Sequence, residues 1–480
     1  MDSAAAALDR LATIASSAPV ARLAAAFEQA GHELALVGGP VRDAFLSRTA
    51  LDLDLTTDAR PDRILEIVTP ISSARWDVGR AFGTIGALVA GEKVEITTYR
   101  SDAYEPESRK PEVRFGDTLE EDLVRRDFTV NAMALRVPGR VLVDPTGGID
   151  DLLARRLRTP QTPETSFSDD PLRMLRAARF AAQLGFSVEE DTRAAMERLA
   201  ERLEIVSAER VREELSRLVL SGTPRPGLEL LVGTGIADRI LPELPALRLT
   251  VDLEHRHKDV YEHSLTVLEQ SIELERERGH EPDLVLRLAA LLHDVGKPAT
   301  RRFERGGAVT FHHHDVVGAK LVRKRLRALR YDNDTIARVA ELVELHQRFF
   351  GYTEGVWTDS AVRRYVRDAG DQLERLHILT RADVTTRNRR KAERLASAYD
   401  DLERRIGELA EQEQLEAVRP DLDGERIMAI LGIRPGPDVG RAYRFLLELR
   451  LDEGPLGEDE ATRRLLDWWG TQLPAPGRDG

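Results

Sequence analysis

The sequence predicts a mixed α/β or α+β domain at the start of the chain and an all-α second half. Strand-like and helix-like segments alternate over roughly the first 150 residues. Strand patterns almost vanish after residue 168, and turn residues and prolines interrupt the chain between residues 242 and 252. The length of 480 residues suits about three domains, and 42% hydrophobic residues are enough to build cores.

The first domain opens with a buried strand at 33–37, followed by a Gly-Gly turn and a helix at 40–46. Pro40 occupies the first turn of this helix, where its missing N–H costs nothing. The same alternation predicts strands at 52–56, 84–90 and 93–99 and a helix at 61–68. A Gly-Glu hairpin signal joins the last two strands, so the sheet is predicted to be mixed or antiparallel.

Beyond residue 168, the hydrophobic residues recur with helical spacing. The predicted helices cover 170–184, 190–203, 208–220 and 226–232, and more follow from residue 259. We therefore divide the chain into a head, a helical neck, a third helical domain and a helical tail. Their predicted bounds are 15–160, 161–250, 251–385 and 386–480.

The composition excludes several classes of protein. The chain contains no Cys, which rules out a disulfide scaffold, a thiolate metal site and a Cys nucleophile. No apolar run approaches the roughly 18 residues that a membrane helix requires, and the N-terminus lacks the basic region of a signal peptide. The net charge of −13 argues against a protein that coats nucleic acid but allows local basic patches. We expect a cytoplasmic protein with no membrane partner.

A glycine turn and two carboxylates indicate a phosphate-transfer site in the head. Gly38 and Gly39 precede a helix, where backbone N–H groups can approach phosphate. Arg42 lies one turn further on, near the same phosphates. Asp52 and Asp54 follow at the spacing that places both on one face of a strand. Neighbouring carboxylates bind Mg²⁺, and two such ions serve an in-line phosphoryl transfer.

Each of these features alone is common. A glycine pair before a helix is usually a simple turn, and alternating acids on a strand usually face solvent. Their order makes the combination more specific. Glu95 in a second strand (VEITTYR) is a candidate third carboxylate, although a solvent-facing strand Glu explains it equally well.

Five ordered motifs resemble those of class II tRNA nucleotidyltransferases, the CCA-adding enzymes that share a polymerase-β-like head with bacterial poly(A) polymerases. The motifs are GGxVRD, DxD, RRDFTVNAMAL (125–135), DPTGGIDDL (144–152) and DDPLRMLRAARFAAQLGF (169–186). The resemblance covers roughly residues 20–250. It implies a polymerase-β-like nucleotidyltransferase head and a neck that reads the base and binds RNA.

The resemblance also implies roles for single residues. Asp52 and Asp54 match the metal-binding pair, and Gly39 and Arg42 match contacts to the triphosphate. The ribose and nucleotide contacts of the second motif correspond to Arg126, Asp127 and Asn131.

The last of the five motifs also has a physical interpretation of its own. Asp169 or Asp170 caps a helix that begins at Pro171. A carboxylate accepts from an exocyclic amine, and a guanidinium donates to a ring nitrogen or a carbonyl. Cytosine and adenine carry an amine where uracil and guanine carry a carbonyl, so an Asp–Arg pair selects CTP and ATP without a template. A capping Asp and a surface Arg stripe are the alternative interpretation.

The resemblance assigns this base-reading role to Asp170 and Arg173, with Arg176 and Arg179 close to the nucleotide. Asp169 stands where the family more often has Glu, and we assign it no role.

A second constellation combines histidines and carboxylates in the third domain. His263, the pair His293-Asp294 and the distant Asp383 all lie in helical segments. A buried His–Asp pair is costly unless it is hydrogen-bonded or binds a metal. The order H…HD…D resembles the HD phosphohydrolase superfamily, which implies a metal site at these four residues and a candidate hydrolase activity. Imidazole with carboxylate suits a transition metal rather than Mg²⁺ alone. Further imidazoles lie nearby in sequence, at His312, His313, His314 and His346.

Two basic segments are candidates for binding tRNA. Residues 301–330 contain nine Lys and Arg against two acids, and residues 387–394 contain five against one. A solvated helix face is the alternative for each. Aromatic residues make up only 5% of the chain. Recognition of an A-form acceptor arm by shape and phosphate therefore fits better than base stacking.

Together these features predict a Mg²⁺-dependent enzyme that adds CCA to the 3′ end of tRNA from CTP and ATP and releases pyrophosphate. An enzyme that adds poly(A), or only CC or only A, has the same head and stays open. An HD phosphohydrolase whose head only binds nucleotide and a non-catalytic tRNA-binding protein are the alternatives from other classes. The intact carboxylates weigh against both.

Overall fold

The computed structural model describes residues 4–48, 53–100, 115–248, 259–305, 309–349, 357–385, 388–413 and 419–472. The chain divides into two compact units. The first comprises residues 1–245 and 328–330, and the second comprises residues 246–327 and 331–480. The predicted fold class, a mixed head followed by helical domains, is confirmed. Within the described ranges, no helix is long and apolar enough to cross a membrane.

A seven-stranded mixed sheet forms the centre of the head. Its strands are β1 (Leu34–Val37), β2 (Leu53–Thr57), β3 (Ser72–Trp76), β4 (Thr84–Val89), β5 (Glu92–Thr98), β6 (Ala134–Val137) and β7 (Val141–Val143). The order across the sheet is β3-β4-β5-β2-β1-β6-β7, and every pairing is antiparallel except that of β2 with β5. Four strands match the predicted ones to within one residue. The pattern does not single out β3, β6 and β7.

Short helices cover this sheet. They are α1 (Ala4–Ala15), α2 (Ala18–Gln29), α3 (Gly39–Phe45), α4 (Pro61–Val68), α5 (Leu119–Val124) and α6 (Gly148–Leu153). The bounds of α4 are the predicted ones, because Pro61 begins its first turn and an apolar face with Ile64 and Ile67 is buried. All four residues of β1 are buried, so the turn that follows it is held firmly against the core.

The neck consists of α7 (Pro163–Asp169), α8 (Leu172–Leu184), α9 (Glu190–Leu199), α10 (Ala208–Val219), α11 (Arg225–Gly233) and α12 (Ile236–Ile240). Helix α8 packs against α10 and α11. Helix α7 is not predicted, and Thr162 caps it by accepting from the N–H of Thr165. Because α7 runs to Asp169, α8 begins at Leu172, whose N–H donates to Asp170 Oδ1 at 3.2 Å. The predicted helix 190–203 ends early and continues as a 3₁₀ turn.

The second unit is almost entirely helical. Its helices are α13 (Val260–Glu277), α14 (Leu284–Leu292), α15 (Lys297–Thr300), α16 (His314–Ala328), α17 (Asn333–Leu345), α18 (Asp359–Ala369), α19 (Leu373–Ala382), α20 (Arg389–Glu413), α21 (Gly424–Leu431), α22 (Pro437–Glu453) and α23 (Glu458–Gln472). The buried helix α14 packs against α13, α17 and α19. A two-stranded sheet of Arg302–Phe303 and Val309–Thr310 departs from the all-α expectation. Helices α21 to α23 share a separate small core.

Candidate active sites in the head and the HD domain

Two of the predicted carboxylates lie side by side on the sheet of the head. In the parallel pair of β2 and β5, Asp54 is the register partner of Glu95. Paired residues of neighbouring strands point to the same face of a sheet. Asp54 is half-buried and Glu95 is exposed, so their oxygens are accessible to an ion. Asp52, the other member of the predicted Asp52–Asp54 pair, lies outside the described residues.

The glycine turn lies directly beside the second motif. Gly38 has a φ of 72°, and a Cβ at this position would lie 3.4 Å from Arg126 NH1 and 3.7 Å from the carbonyl of Asn131. A left-handed conformation at such a close approach favours glycine. One helical turn later, Arg42 NH1 donates to Asn131 Oδ1 at 2.8 Å. Arg42 Nε donates to Asp43 Oδ1 at 2.8 Å.

A chain of polar contacts continues from Asn131 into the neck. Asn131 Nδ2 donates to Asp127 Oδ1 at 3.0 Å, and Arg176 Nε donates to Asp127 Oδ2 at 2.8 Å. Burial alone raises the pKa of Asp127, but the charge of Arg176 and the hydrogen bonds from Asn131 and Arg176 outweigh it, so this pKa lies below its ordinary value. The carboxylate is therefore charged at neutral pH and links α8 to the head.

A cavity of about 280 Å³ lies where these residues meet. Six arginines and two aspartates contribute to its wall, which gives the wall a formal charge of about +4. Five of the predicted nucleotide contacts line the cavity, namely Arg126, Asp127, Asp170, Arg173 and Arg176. Five further lining residues are not predicted from the sequence, namely Thr97, Arg100, Arg125, Leu172 and Arg210.

Asp170 and Arg173 both line this cavity, but each has its own partner. Asp170 Oδ2 accepts from Arg210 NH2 at 2.8 Å. Arg173 is only 8% exposed, and its NH2 donates to the carbonyl of Arg125 at 2.6 Å while its NH1 donates to Ser166 Oγ at 2.9 Å. These contacts hold the carboxylate and the guanidinium in fixed orientations at the cavity wall.

Arg179 has a different set of partners. Its Nε donates to Glu214 Oε2 at 2.6 Å, its NH1 donates to Gln183 Oε1 at 3.0 Å, and its guanidinium stacks on the ring of Phe180 at 4.1 Å. Arg179 is buried and is not among the residues that line the cavity described above. Asp169 is the last residue of α7.

The four predicted HD residues come together in the second unit. His263 Nε2 lies 2.9 Å from Asp383 Oδ1 and 3.4 Å from His293 Nε2. His293 Nε2 lies 3.2 Å from Asp294 Oδ2. His263, His293 and Asp383 present ligand atoms that are all within 4.8 Å of one another, the arrangement that a metal ion requires.

A second candidate ligand triad includes Asp294 itself. Asp294, His314 and His346 also place ligand atoms within 4.8 Å of one another, and all three side chains are buried. Asp294 Oδ1 lies 3.4 Å from His314 Nε2. Within the described residues neither of these two atoms makes a hydrogen bond. Of the triplet 312–314 only His314 is buried, since His312 and His313 are exposed.

Backbone carbonyls orient three of these rings. The Nδ1 atoms of His293, His314 and His346 lie 2.9, 2.8 and 2.6 Å from the carbonyls of residues 290, 311 and 343. An Nδ1–H that donates to a carbonyl leaves Nε2 as the atom that binds a metal. Burial, followed by the charge of His293, lowers the pKa of His346 to about 4, so this ring is neutral at pH 7.

Comparison with known proteins identifies the domains in which the two candidate sites lie. Three family models match the chain: "Poly A polymerase head domain" at residues 34–158, "Probable RNA and SrmB- binding site of polymerase A" at 185–247, and "HD domain" at 260–388. The structure of the Bacillus stearothermophilus CCA-adding enzyme in complex with CTP is similar to this chain, with a TM-score of 0.69 at 24% identity. The match covers 94% of this chain and 96% of that one.

Two curated relatives match over nearly their whole length. The A-adding tRNA nucleotidyltransferase of Deinococcus radiodurans is 36% identical over 450 residues, which cover 92% of this chain and 96% of that protein. The CC-adding tRNA nucleotidyltransferase of Thermus thermophilus is 35% identical over 441 residues, which cover 90% of this chain and 93% of that protein. Since the identity extends through the head, the neck and the HD domain, the chain belongs to the tRNA nucleotidyltransferase family.

Proposed function

We propose that this protein adds the sequence CCA to the 3′ end of tRNA, using CTP and ATP and no template. The observation that carries this proposal is the arginine-rich cavity beside the Asp54–Glu95 pair. Thr97, which lies two residues after Glu95 on the same strand face, lines that cavity. A triphosphate with a charge of about −4 matches the charge of the cavity wall.

The carboxylates and the cavity divide the reaction between them. The oxygens of Asp54 and Glu95, together with Asp52, suit Mg²⁺, which when bound lowers the pKa of the attacking hydroxyl and neutralises charge on the phosphates. The RNA 3′-oxygen forms a bond to the α-phosphorus, the bond to the β-phosphate bridging oxygen breaks, and pyrophosphate leaves. Arg42 and Arg126, near the Gly38 turn, hold the triphosphate in line for this attack.

Asp170 and Arg173 select the base. The carboxylate accepts from the amine of cytosine or adenine, and the guanidinium donates to the neighbouring ring nitrogen. Arg210 holds Asp170 at 2.8 Å and orients the carboxylate for this role. Arg176 positions Asp127, which lies at the same cavity.

The tRNA acceptor arm is the proposed nucleic-acid partner. Helix α16 carries exposed cations at Lys320, Lys324 and Arg327, which can contact phosphates without reading sequence. The second basic segment begins at residue 387, which lies outside the described residues, and continues into α20. Because its substrate tRNA is cytoplasmic, we propose that the protein works in the cytoplasm.

A primer-extension assay tests the proposal. The protein is incubated with Mg²⁺ and either tRNA that lacks its 3′ end or tRNA that ends in CC, and is supplied with CTP, ATP or both. Addition of three nucleotides to the first substrate and one to the second supports the proposal. Addition that stops after CC, or that occurs only on tRNA ending in CC, identifies a partial enzyme. A long A ladder identifies a poly(A) polymerase.

The second unit supports a further activity, hydrolysis of a phosphoester at a centre of two divalent cations. His263, His293 and Asp383 are the ligand set for one ion, and Asp294, His314 and His346 are the set for the other. Asp294 Oδ1 and His314 Nε2 lie 3.4 Å apart, and within the described residues neither makes a hydrogen bond, which favours bound metal over a closed hydrogen-bond network. Mostly imidazole ligands suit a transition metal, which when bound supplies a hydroxide nucleophile.

Metal counting tests this centre. Protein stripped of metal and reloaded with Mn²⁺ or Ni²⁺ is expected to bind two equivalents in the second unit. His314→Ala is expected to lose one of them and hydrolysis of 2′,3′-cyclic phosphate, while His312→Ala, an exposed neighbour, is expected to keep both. One equivalent in the unmodified protein, or equal behaviour of the two variants, contradicts the two-ion centre.

A further inference from the structure

We propose that Asp122 is a positioning residue for the nucleotide triphosphate, acting through the arginines that line the cavity. The inference rests on the proposed nucleotide addition in the head. Asp122 lies on α5, is fully buried and does not line the cavity itself. None of the motifs identified in the sequence includes Asp122, because the RRDFTVNAMAL motif begins three residues later, at Arg125.

The Asp122 carboxylate gathers donors from three separate parts of the head. Oδ1 accepts from Arg125 NH2 at 3.0 Å and from the backbone N–H of Arg100 at 3.2 Å. Oδ2 accepts from Arg126 NH2 at 3.0 Å. It also shares the single Thr56 hydroxyl proton, at 3.4 Å, with the carbonyl of Thr97, which lies at 3.0 Å. Arg100 follows β5, Thr56 belongs to β2, and the two consecutive arginines follow α5. One carboxylate therefore fixes these three segments relative to one another.

Those segments are the ones that matter for binding a triphosphate. Arg100, Arg125 and Arg126 all line the cavity, and Thr56 lies two residues after Asp54 on the same strand face. Two guanidinium groups share one carboxylate, so the group keeps a net charge of about +1 for an anionic ligand. Without Asp122 the two guanidinium groups repel each other and lose their common anchor. The expected loss is therefore in nucleotide affinity.

Asp151 provides a matched control within the same unit. It is also fully buried, and its carboxylate accepts from Arg156 Nε at 2.8 Å, Arg158 Nε at 3.0 Å and Thr129 Oγ1 at 2.6 Å. As at Asp122, one carboxylate binds two arginines and a threonine hydroxyl, and Asp122 accepts one further hydrogen bond, from the backbone N–H of Arg100. Neither Arg156 nor Arg158 is among the residues that line the described cavity. Loss of the Asp151 charge therefore reports the cost of a buried ion group away from the cavity.

The test compares Asp122→Asn with Asp151→Asn in the full chain. For each variant, KM for CTP, KM for tRNA, kcat and Tm are measured.

We expect Asp122→Asn to raise KM for CTP roughly tenfold or more, because charged hydrogen bonds to the arginines are lost. KM for tRNA should stay within about twofold. Asp151→Asn should lower Tm by about as much as Asp122→Asn does, but it should leave KM for CTP within about twofold. Equal rises in KM for CTP, or a change in Tm alone at Asp122, would overturn the inference.

A double-mutant cycle covers the case in which Asp122→Asn fails to fold. Thr56→Val removes a weaker donor to the same carboxylate, and Arg125→Gln removes one of the two guanidinium groups. If Asp122 acts through Arg125, the effects of Thr56→Val and Arg125→Gln on KM for CTP are non-additive; additive effects count against the inference. Failure of the unmodified protein to extend tRNA would instead contradict the proposed function, so the two failures are distinguishable.

Discussion

The candidate metal site in the head and the one in the second unit differ in the type and the solvent exposure of their candidate ligands. In the head, the accessible oxygens of Asp54 and Glu95 lie beside a cavity whose wall is positively charged. In the second unit, four buried or partly buried imidazoles lie with their Nε2 atoms near two carboxylates, and backbone carbonyls fix three of the rings. We therefore expect the first arrangement to bind an ion together with a substrate phosphate, and the second to hold an ion without substrate.

The largest expected effect tests the oxygen-based half of this comparison. Asp54→Ala should lower nucleotide addition by roughly a thousandfold, because a carboxylate that binds Mg²⁺ supplies several kcal/mol of transition-state stabilisation. Binding of tRNA, measured by filter retention, should change by less than about twofold. Glu92→Ala is the control, since Glu92 is an exposed acid of the same sheet on the opposite face of β5 from Glu95. Addition by Asp54→Ala at a near-normal rate would rule out this carboxylate as a metal ligand.

The second prediction tests whether the two sites are independent. His293→Ala combined with Asp294→Ala should abolish metal binding in the second unit and hydrolysis of 2′,3′-cyclic phosphate. Nucleotide addition at saturating tRNA should stay within about twofold, because the two sites share no residue and substitutions at sites without shared partners have nearly independent effects. The control is His313→Ala, which alters an exposed ring. Loss of addition at saturating tRNA in a folded variant would show that the sites are coupled.

Local patterns were sufficient for the parts of both sites that depend on neighbouring residues. The Gly38 turn, helix α4 and the His293-Asp294 pair at the end of α14 follow from proline, glycine and apolar spacing. The pairing of Asp54 with Glu95 does not, because strand alternation carries no information about which distant strand is the neighbour. Likewise, no spacing rule identifies Arg210 as the partner of Asp170, 40 residues away.

Helix geometry explains why the three arginines of α8 have different surroundings. Residues three apart drift by about 60° around a helix, so Arg179 lies about 120° from Arg173. Arg179 donates to Glu214 and is not among the residues that line the described cavity. For the histidine triplet 312–314, the sequence alone did not predict which of the three rings is buried. The left-handed backbone at His313, with a φ of 60°, immediately precedes the start of α16 at the buried His314.

A third prediction separates the base-reading arginine from its structural neighbour. Arg173→Ala should reduce discrimination against UTP and GTP by roughly tenfold, because a guanidinium that donates to the base is lost. Arg179→Ala removes an equally buried arginine of the same helix that does not line the cavity. It should lower Tm without changing nucleotide choice. Competition assays with mixed nucleotides measure the ratio. Unchanged rejection of UTP and GTP in Arg173→Ala would leave this residue with a structural role only.

The smallest expected effect concerns acid stability and applies to the head and neck. The pKa of Asp127 is lower in the folded chain than its ordinary value of 3.8, because Arg176 and Asn131 outweigh the effect of burial. A depressed carboxyl pKa stabilises the fold above the ordinary value, and that contribution is lost as the pH falls through the lower folded-state pKa. Asp127→Asn should therefore lower Tm at pH 7 by an amount equivalent to about 1–3 kcal/mol, and the difference from the unmodified protein should shrink below pH 4. Calorimetry of the full chain between pH 7 and pH 3 measures this difference.

Glu190→Gln, which disrupts an exposed ion pair with Arg193, is the control and should leave Tm nearly unchanged at pH 7. A Tm difference for Asp127→Asn that stays constant down to pH 3 would mean that the charge of Asp127 does not stabilise the fold.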